Sequence, residues 1–351
     1  MVDYIIVGLG LAGISFCEQL EKSGKTYKVI SDSSQSSSVV AGGLYNPVIL
    51  KRFTMAWKAK EQLALTTSFY ASLEKKLEQK LNYKLPVLRR FASVEEQNLW
   101  FEACDKPGLE YFLSSKLLKN TNSAIEAPFG FGQVLGTGRI DTAAMISAYI
   151  TYLLPKEKIW QETFDFEALK VQAKNMVYKT IRAKRIVFAE GYGLKKNPYF
   201  NYLPLTSTKG EYLSIKAPDL SETCAIKSSI FLIPWKKDIY RVGATYKWKD
   251  TTNLPTEESK RELLQKLDAL IQCDYTVVGQ VAGIRPTVTD RRPLVGQHPK
   301  EKHMYVLNGF GSRGVMIAPF ASAQLFNLIE RNEELHPEMD IKRFSKKYFK
   351  N

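Results

Sequence analysis

The chain has 351 residues, 44% hydrophobic and 25% charged, which is globular chemistry with length enough for a large core and two domains. Fifty Lys and Arg against 36 acids leave a formal charge of +14, suited either to a polyanionic partner such as nucleic acid or to a solvated, lysine-rich surface. Cys17, Cys104, Cys224 and Cys273 are scattered without a C-x-x-C pair, and His298, His303 and His336 lack ligand spacing, so no metal site and no histidine triad is expected, and the thiols read as free in a reducing compartment.

The chain opens on "DYIIVGLGLAGISFCEQLEKSGKTYKVISD". Tyr4 to Val7 is a short continuous apolar run, as a buried parallel strand requires. Ala12, Phe16, Cys17 and Leu20 then recur at helical spacing, Gly24 ends that helix, and Val29 and Ile30 begin the next strand. Between strand and helix stand Gly8, Gly10 and Gly13 in the G-x-G-x-x-G spacing of a dinucleotide-binding turn. Gly8 permits the tight turn, Gly10 lets backbone approach a pyrophosphate, and Gly13 lets helix and strand pack closely. The helix start at Leu11 and Ala12 presents free N–H groups to the phosphates. The ribose acid falls by strict count on Ser31, with Asp32 one residue late, so both are candidates and Asp32 is preferred. Asp3 stands where a signal sequence needs basic residues, and no run reaches the roughly 18 to 20 apolar residues of a membrane span. A soluble, cytoplasmic protein without a membrane span is expected.

Further along, the serine-rich "SDSSQSSS" reads as a loop beside the cofactor. "AWKAKEQLALTTSFYASLEKKLEQKL" reads as a long helix and "TEESKRELLQKLDALI" as an amphipathic one. "GEYLSIK", "SIFLIPW" and "IYRVGATYKW" read as antiparallel strands. Near the end, "MYVLN" predicts a strand and "VMIAPFASAQLFNLIE" a helix, with Pro319 tolerable near its start. Gly309, Gly311 and Gly314 repeat the G-x-G-x-x-G spacing between them. A second nucleotide unit would need a further strand, and "RNEELHPEMDIKRFSKKYFKN" contains no apolar one. The second loop therefore completes a unit begun at the N-terminus. Two helix starts fit two parts of one FAD, the first at its pyrophosphate and the second at the isoalloxazine ring, which gathers negative charge on reduction. The basic run "IKRFSKKYFKN" is either a solvated tail or part of a nucleic-acid surface.

"GLGLAG", "SSSVVAGGLYNPV", "GTGRIDTAAMISAYI", "RIVFAEGYG", "STKGEYLSI", "FLIPWKKDIYRVGATY", "AGIRPTVTDRRPLVGQ" and "LNGFGSRGVMIAP" follow one another along the chain. In that order, over essentially its whole length, they resemble the D-amino-acid oxidase and glycine oxidase superfamily of FAD-dependent oxidoreductases. The fold expected is α/β: a Rossmann-like FAD-binding domain with a parallel sheet (residues 1–82, 136–200 and 276–351), interleaved with a smaller antiparallel-sheet substrate domain (83–135 and 201–275). The resemblance implies that Ala41, Gly42, Gly43 and Leu44 pass along the FAD and that Ala189 and Gly191 re-enter its site. Gly309, Gly311, Ser312, Arg313 and Gly314 would then meet the flavin end.

In this family the arginine of the motif matching Gly283-Ile284-Arg285-Pro286 binds the substrate carboxylate. A guanidinium suits that task as a planar, bidentate, permanently charged fork; the alternative is a loop pair between Arg285 and Asp290. Phe231 falls where glycine oxidases carry a substrate-orienting aromatic. Arg313 either faces substrate beside Arg285 or pairs at the surface. With no cysteine after Cys273, noncovalent FAD is expected. The implied reaction is oxidation of the C–N bond of a small amine bearing a carboxylate (glycine, sarcosine or a D-amino acid) by hydride transfer to flavin N5, with no protein acid or base assigned. "GGLYNP" and "GFGSRG" followed by "AP" also resemble the oxidase domain of a bifunctional enzyme acting on the carboxymethylaminomethyl group of tRNA wobble uridine. That makes tRNA a possible partner, although nothing in the chain resembles that enzyme's methyltransferase half. A non-catalytic flavin-binding protein is the alternative of a different class.

Overall fold

The computed structural model describes residues 1–32 and 34–344. β1 (Val2–Val7) lies between two parallel neighbours, β2 (Tyr27–Ile30) and the Ile181–Phe188 strand. Ile159–Trp160 extends the sheet beyond β2, and Met304–Asn308 pairs in parallel with the second half of Ile181–Phe188. In sequence order these five parallel strands run 3-2-1-4-5, and the order reverses between β1 and Ile181–Phe188. Leu294–Gln297 adds an antiparallel edge, and a hairpin of Leu169–Val171 and Met176–Tyr178 completes eight strands.

The continuous apolar run of β1 is explained by cores on both faces. Tyr4 and Ile6 join one, and Ile5 and Val7 the other, the period-2 alternation of a strand covered on each side. On the first face lie α1 (Leu11–Lys22) and the helices Ala59–Leu77, Thr142–Leu153 and Gly314–Arg331. Pro319 sits inside the last of these and cannot donate to the carbonyl four residues back. The buried Tyr70 hydroxyl donates to that Val315 oxygen at 2.9 Å instead, so the proline leaves no orphan acceptor.

The second sheet has seven strands in the order Thr276–Val288, Leu205–Lys216, Ile239–Gly243, Phe231–Lys236, Ala225–Lys227, Val87–Arg90, Phe131–Val134. All pair antiparallel except Ala225–Lys227 with Val87–Arg90. Leu232 and Val242 point into a core shared with helix Glu257–Asp268, which Thr256 caps through its Oγ1, while their neighbours Phe231 and Gly243 face a cavity on the opposite side. Thr276–Val288 pairs along its length with Leu205–Lys216. Residues 276–288 therefore belong to this sheet, and the division expected at 276 moves past them. The chain runs extended through the Gly283-Ile284-Arg285-Pro286 motif and turns only at Thr289–Asp290.

Gly138–Ile140, Leu44–Tyr45 and Asn82–Lys84 form a small third sheet. Cys17 and Cys104 are buried, Cys224 and Cys273 half-buried, and all four are free. Among the described residues no helix is long and apolar enough to cross a membrane. The basic run at 341–351 is described only as far as Phe344, and its remainder lies outside the described residues.

Candidate active site

A cavity of about 1140 Å³ opens between the carboxyl ends of the parallel strands and the second sheet. It sits where the strand order reverses, the position at which open α/β sheets accept ligands. Gly8, Gly10, Leu11, Ala12, Ser31, Asp32, Ala41, Gly42, Gly43, Leu44, Ala189, Gly191, Gly311, Ser312, Arg313 and Gly314 all line it, as do Arg285 and Phe231. Gly13 and Gly309 do not reach it. A side chain on Gly13 would put its Cβ 2.1 Å from the Gly8 oxygen, and Gly309, at φ +78°, abuts Val288. Both support the loops from behind.

At the N-terminal loop, Gly8 has φ +96° and a Cβ there would lie 2.5 Å from the Ala189 oxygen, so the turn closes directly on the neighbouring strand end. The first turn of α1 faces the cavity with Gly10 as a cap without a side chain. Among the described residues the Leu11 N–H reaches Ser38 Oγ, at 3.4 Å. Ser38 belongs to the serine-rich loop, which lines the cavity as its place in the sequence suggested. Ser31 Oγ accepts from Leu9 N–H at 3.1 Å and so is tied to the glycine turn. Asp32 accepts from the Ser34 hydroxyl and N–H and from Thr163 Oγ1 at 2.6, 3.0 and 2.7 Å. Burial pulls its pKa upward, and these bonds outweigh it, leaving a carboxyl below its ordinary value. Glu190, which sequence reading passed over, also lines the cavity. Burial pushes its pKa up to about 7, against a hydrogen bond from Asn197 and with a contribution from the charge of Asp32.

Toward the second loop, Gly43 has φ +68° and leaves no room for a Cβ, which would meet the Ile140 oxygen at 1.9 Å. The Val40 and Ala41 carbonyls accept from Arg241 Nη1 at 3.1 and 3.3 Å, and that guanidinium stacks on Trp235 at 3.8 Å. These contacts fix the segment against the second sheet. The helix Gly314–Arg331 starts on the cavity, as α1 does. Arg313 pairs with no surface acid among the described residues: it is half-buried, with Nη1 donating to the Asn46 oxygen at 2.7 Å and Nη2 to the Val48 oxygen at 3.5 Å. Burial lowers its pKa, and among the described residues its guanidinium is held by backbone oxygens and not by a carboxylate. Asn308, also missed from sequence, donates to the Gly191 oxygen and accepts from Gly309 N–H, clamping the two strand ends together.

Arg285 lies across the bare backbone of Gly210, where a Cβ would come within 2.0 Å of Nη2. Its Nη1 donates to the Thr245 oxygen at 3.3 Å, and its guanidinium is 5.0 Å from the Tyr246 ring centroid. The loop pair with Asp290 does not form, because Asp290 binds Arg343 at 2.9 Å and caps the Arg292 N–H. Arg285 thus has no carboxylate partner among the described residues. Lys227, missed from sequence, enters the same cavity with its Nζ 4.9 Å from the Phe231 ring. No cysteine lines the cavity, and among the described residues no three His, Cys, Asp or Glu side chains gather as a metal would need.

The donor set fits FAD. Two helix starts open on one space, and glycines at 8, 10, 42 and 43 stand where backbone must come close. An acidic group below its ordinary pKa sits at the end of β2, where ribose hydroxyls are read.

The family model described as "FAD dependent oxidoreductase" (DAO) matches residues 3–327. Glycine oxidase of Bacillus subtilis (strain 168) is 26% identical over 59% of this chain and 60% of its own length. The tRNA 5-methylaminomethyl-2-thiouridine biosynthesis bifunctional protein MnmC of Legionella pneumophila (strain Lens) is 24% identical over 97% of this chain and 56% of its own length. The chain therefore spans somewhat more than half of these relatives. The crystal structure of glycine oxidase from Geobacillus kaustophilus shares the fold, with a TM-score of 0.78 over 98% of this chain and 97% of that one at 19% identity. With cavity, fold and family model in agreement, the chain belongs to the DAO family of FAD-dependent oxidoreductases.

Proposed function

We propose that the protein oxidises the C–N bond of an amine bearing a carboxylate, with Arg285 as the group that binds the carboxylate. The observation that carries this reading is a guanidinium in the cavity with one terminal nitrogen on a backbone carbonyl and no acid opposite it. The cavity's acidic groups, Asp32, Glu162 and Glu190, belong to the end near β2, so an incoming carboxylate meets Arg285 without a competing anion. Bound FAD supplies the two-electron acceptor. Gly210 gives Arg285 a flat bed, Tyr246 covers one side of the guanidinium, and Phe231 supplies an apolar wall that excludes water. These residues orient the amine, and orientation is the larger part of what such a reaction needs from protein.

Glycine, sarcosine or a small D-amino acid satisfies this arrangement. A second reading, the carboxymethylaminomethyl group of tRNA wobble uridine, is supported by the cavity rim. Tyr246 and Trp248 are 44% and 51% exposed there with ring centroids 5.5 Å apart. Lys249 is exposed beside them, and the whole chain carries +14. Exposed rings among lysines form a stacking platform for an unpaired base. The MnmC relative is named for biosynthesis of a modified tRNA uridine.

The test is Arg285→Met in FAD-loaded protein. Loss of a charge-assisted hydrogen-bonding partner should raise KM for the amine about 10- to 100-fold, with FAD content retained. An unchanged KM would remove Arg285 from substrate binding. Parallel assays on sarcosine and on undermodified tRNA separate the two substrates.

A further inference from the structure

The described cations beside Lys227 each have a carboxylate within ion-pair distance. Arg89 pairs with Glu96 at 2.5 Å and Lys266 with Glu262 at 2.7 Å. Lys227 itself has no carboxylate within ion-pair distance among the described residues. Among the described residues its Nζ donates to the Ser229 oxygen at 3.2 Å. The side chain is half-buried, lies against Phe231, and lines the same cavity as Arg285. A lysine that served only solubility would extend into water. This one is half-buried against an aromatic ring with no carboxylate of its own among the described residues, a position that an anion entering the cavity would relieve. Burial, then Arg89 and Lys266, lower its pKa to about 8, which still leaves it mostly protonated near neutrality.

The sheet also separates Lys227 from Arg285. Arg285 is on the first strand in spatial order and Lys227 on the fifth. Four strand spacings amount to roughly 19 Å along the sheet. Two long side chains converging over that span can both touch an extended molecule, but cannot both touch glycine or sarcosine.

We infer that the cavity accepts an extended amine carrying a second anionic group, which Lys227 binds while Arg285 holds the carboxylate next to the reacting C–N bond. This rests on the amine-oxidation reading and narrows it to N-substituted glycines whose substituent ends in a carboxylate or a phosphate. A dicarboxylic small molecule and a nucleotide both present that chemistry.

The experiment titrates FAD-loaded protein anaerobically with N-hexylglycine, N-(carboxyhexyl)glycine and N-(phosphonohexyl)glycine. Dissociation constants come from the flavin spectrum, for the unaltered chain, Lys227→Met and Lys227→Arg. The unaltered chain should bind at least one anionic ligand about tenfold tighter than the neutral one. That ratio should fall to about one in Lys227→Met and be largely restored in Lys227→Arg, so a general loss of folding cannot imitate the result. A larger gain for the phosphonate points to a nucleotide, and for the carboxylate to a dicarboxylic amine. Equal binding of neutral and anionic ligands, or a ratio that survives Lys227→Met, overturns the inference. Amine oxidation itself fails separately, if the ligands bind and none of them, nor sarcosine, reduces the flavin.

Discussion

Glu190 follows Ala189 at the end of the Ile181–Phe188 strand, half-buried near Asp32 with Asn197 as its hydrogen-bond donor. With a pKa near 7 in the fold against 4.5 as the ordinary value, it keeps its proton where the unfolded chain has released it. The folded state therefore binds more protons between about pH 4.5 and 7, and Glu190's contribution to stability falls as pH rises through that window and stays lost above it. Thermal unfolding followed from pH 5 to 8 should show Glu190→Gln flattening this decline. An identical slope in both proteins would mean that Glu190 ionises normally. At this scale the glycines were legible in the sequence because their requirement is local: Gly8 at φ +96° and Gly43 at φ +68° are backbone facts. Glu190, Lys227, Ser38 and Asn308 were not, because each matters through a partner brought in from elsewhere. Ser38 lies 27 residues from the N–H it meets, and Asn308 lies 117 from the oxygen it holds.

The segment 245–256 carries Tyr246 to the cavity with Trp248 against its ring, and a buried polar network ties it to the second sheet. Lys209, fully buried, binds Asp250 at 2.6 Å and Thr252 at 3.3 Å, also reaches the Leu254 oxygen, and lies 3.7 Å from Glu211. Glu211 in turn accepts from Thr256 and Gln280. Removing the cation leaves the fully buried Glu211 without it, while Asp250 keeps 33% of its side chain exposed. Lys209→Met should cost about 3–5 kcal/mol, read as a lower urea midpoint; an unchanged midpoint would mean the network holds without it. Nothing in "STKGEYLSI" announces this role, since a lysine in an alternating strand reads as solvent-facing. The strand in "SIFLIPW" and the helix "TEESKRELLQKLDALI" were legible from periodicity; "IYRVGATYKW" is a strand only over Ile239–Gly243, and the residues after Gly243 leave it for the loop that carries Tyr246. The Thr276–Val288 strand was legible as a motif but not in its sheet, because pairing with Leu205–Lys216 depends on a partner about 70 residues earlier and not on its own pattern.

At the scale of the molecule, the second glycine loop has a geometric explanation. Met304–Asn308 adds to the sheet that β1 begins, so the helix after Gly311 starts on the same cavity as α1. One ligand space results, with a helix start from each end of the chain and the second sheet placing Arg285 and Lys227 across from them. On the proposed function, FAD held there is reduced by an amine whose carboxylate Arg285 binds. The most direct test is anaerobic titration of the FAD-loaded protein with an N-substituted glycine and with the same amine lacking its carboxylate, following absorbance at about 450 nm. Bleaching by the first is expected at concentrations that leave the second inert. Equal bleaching by both, or none by either, would contradict it.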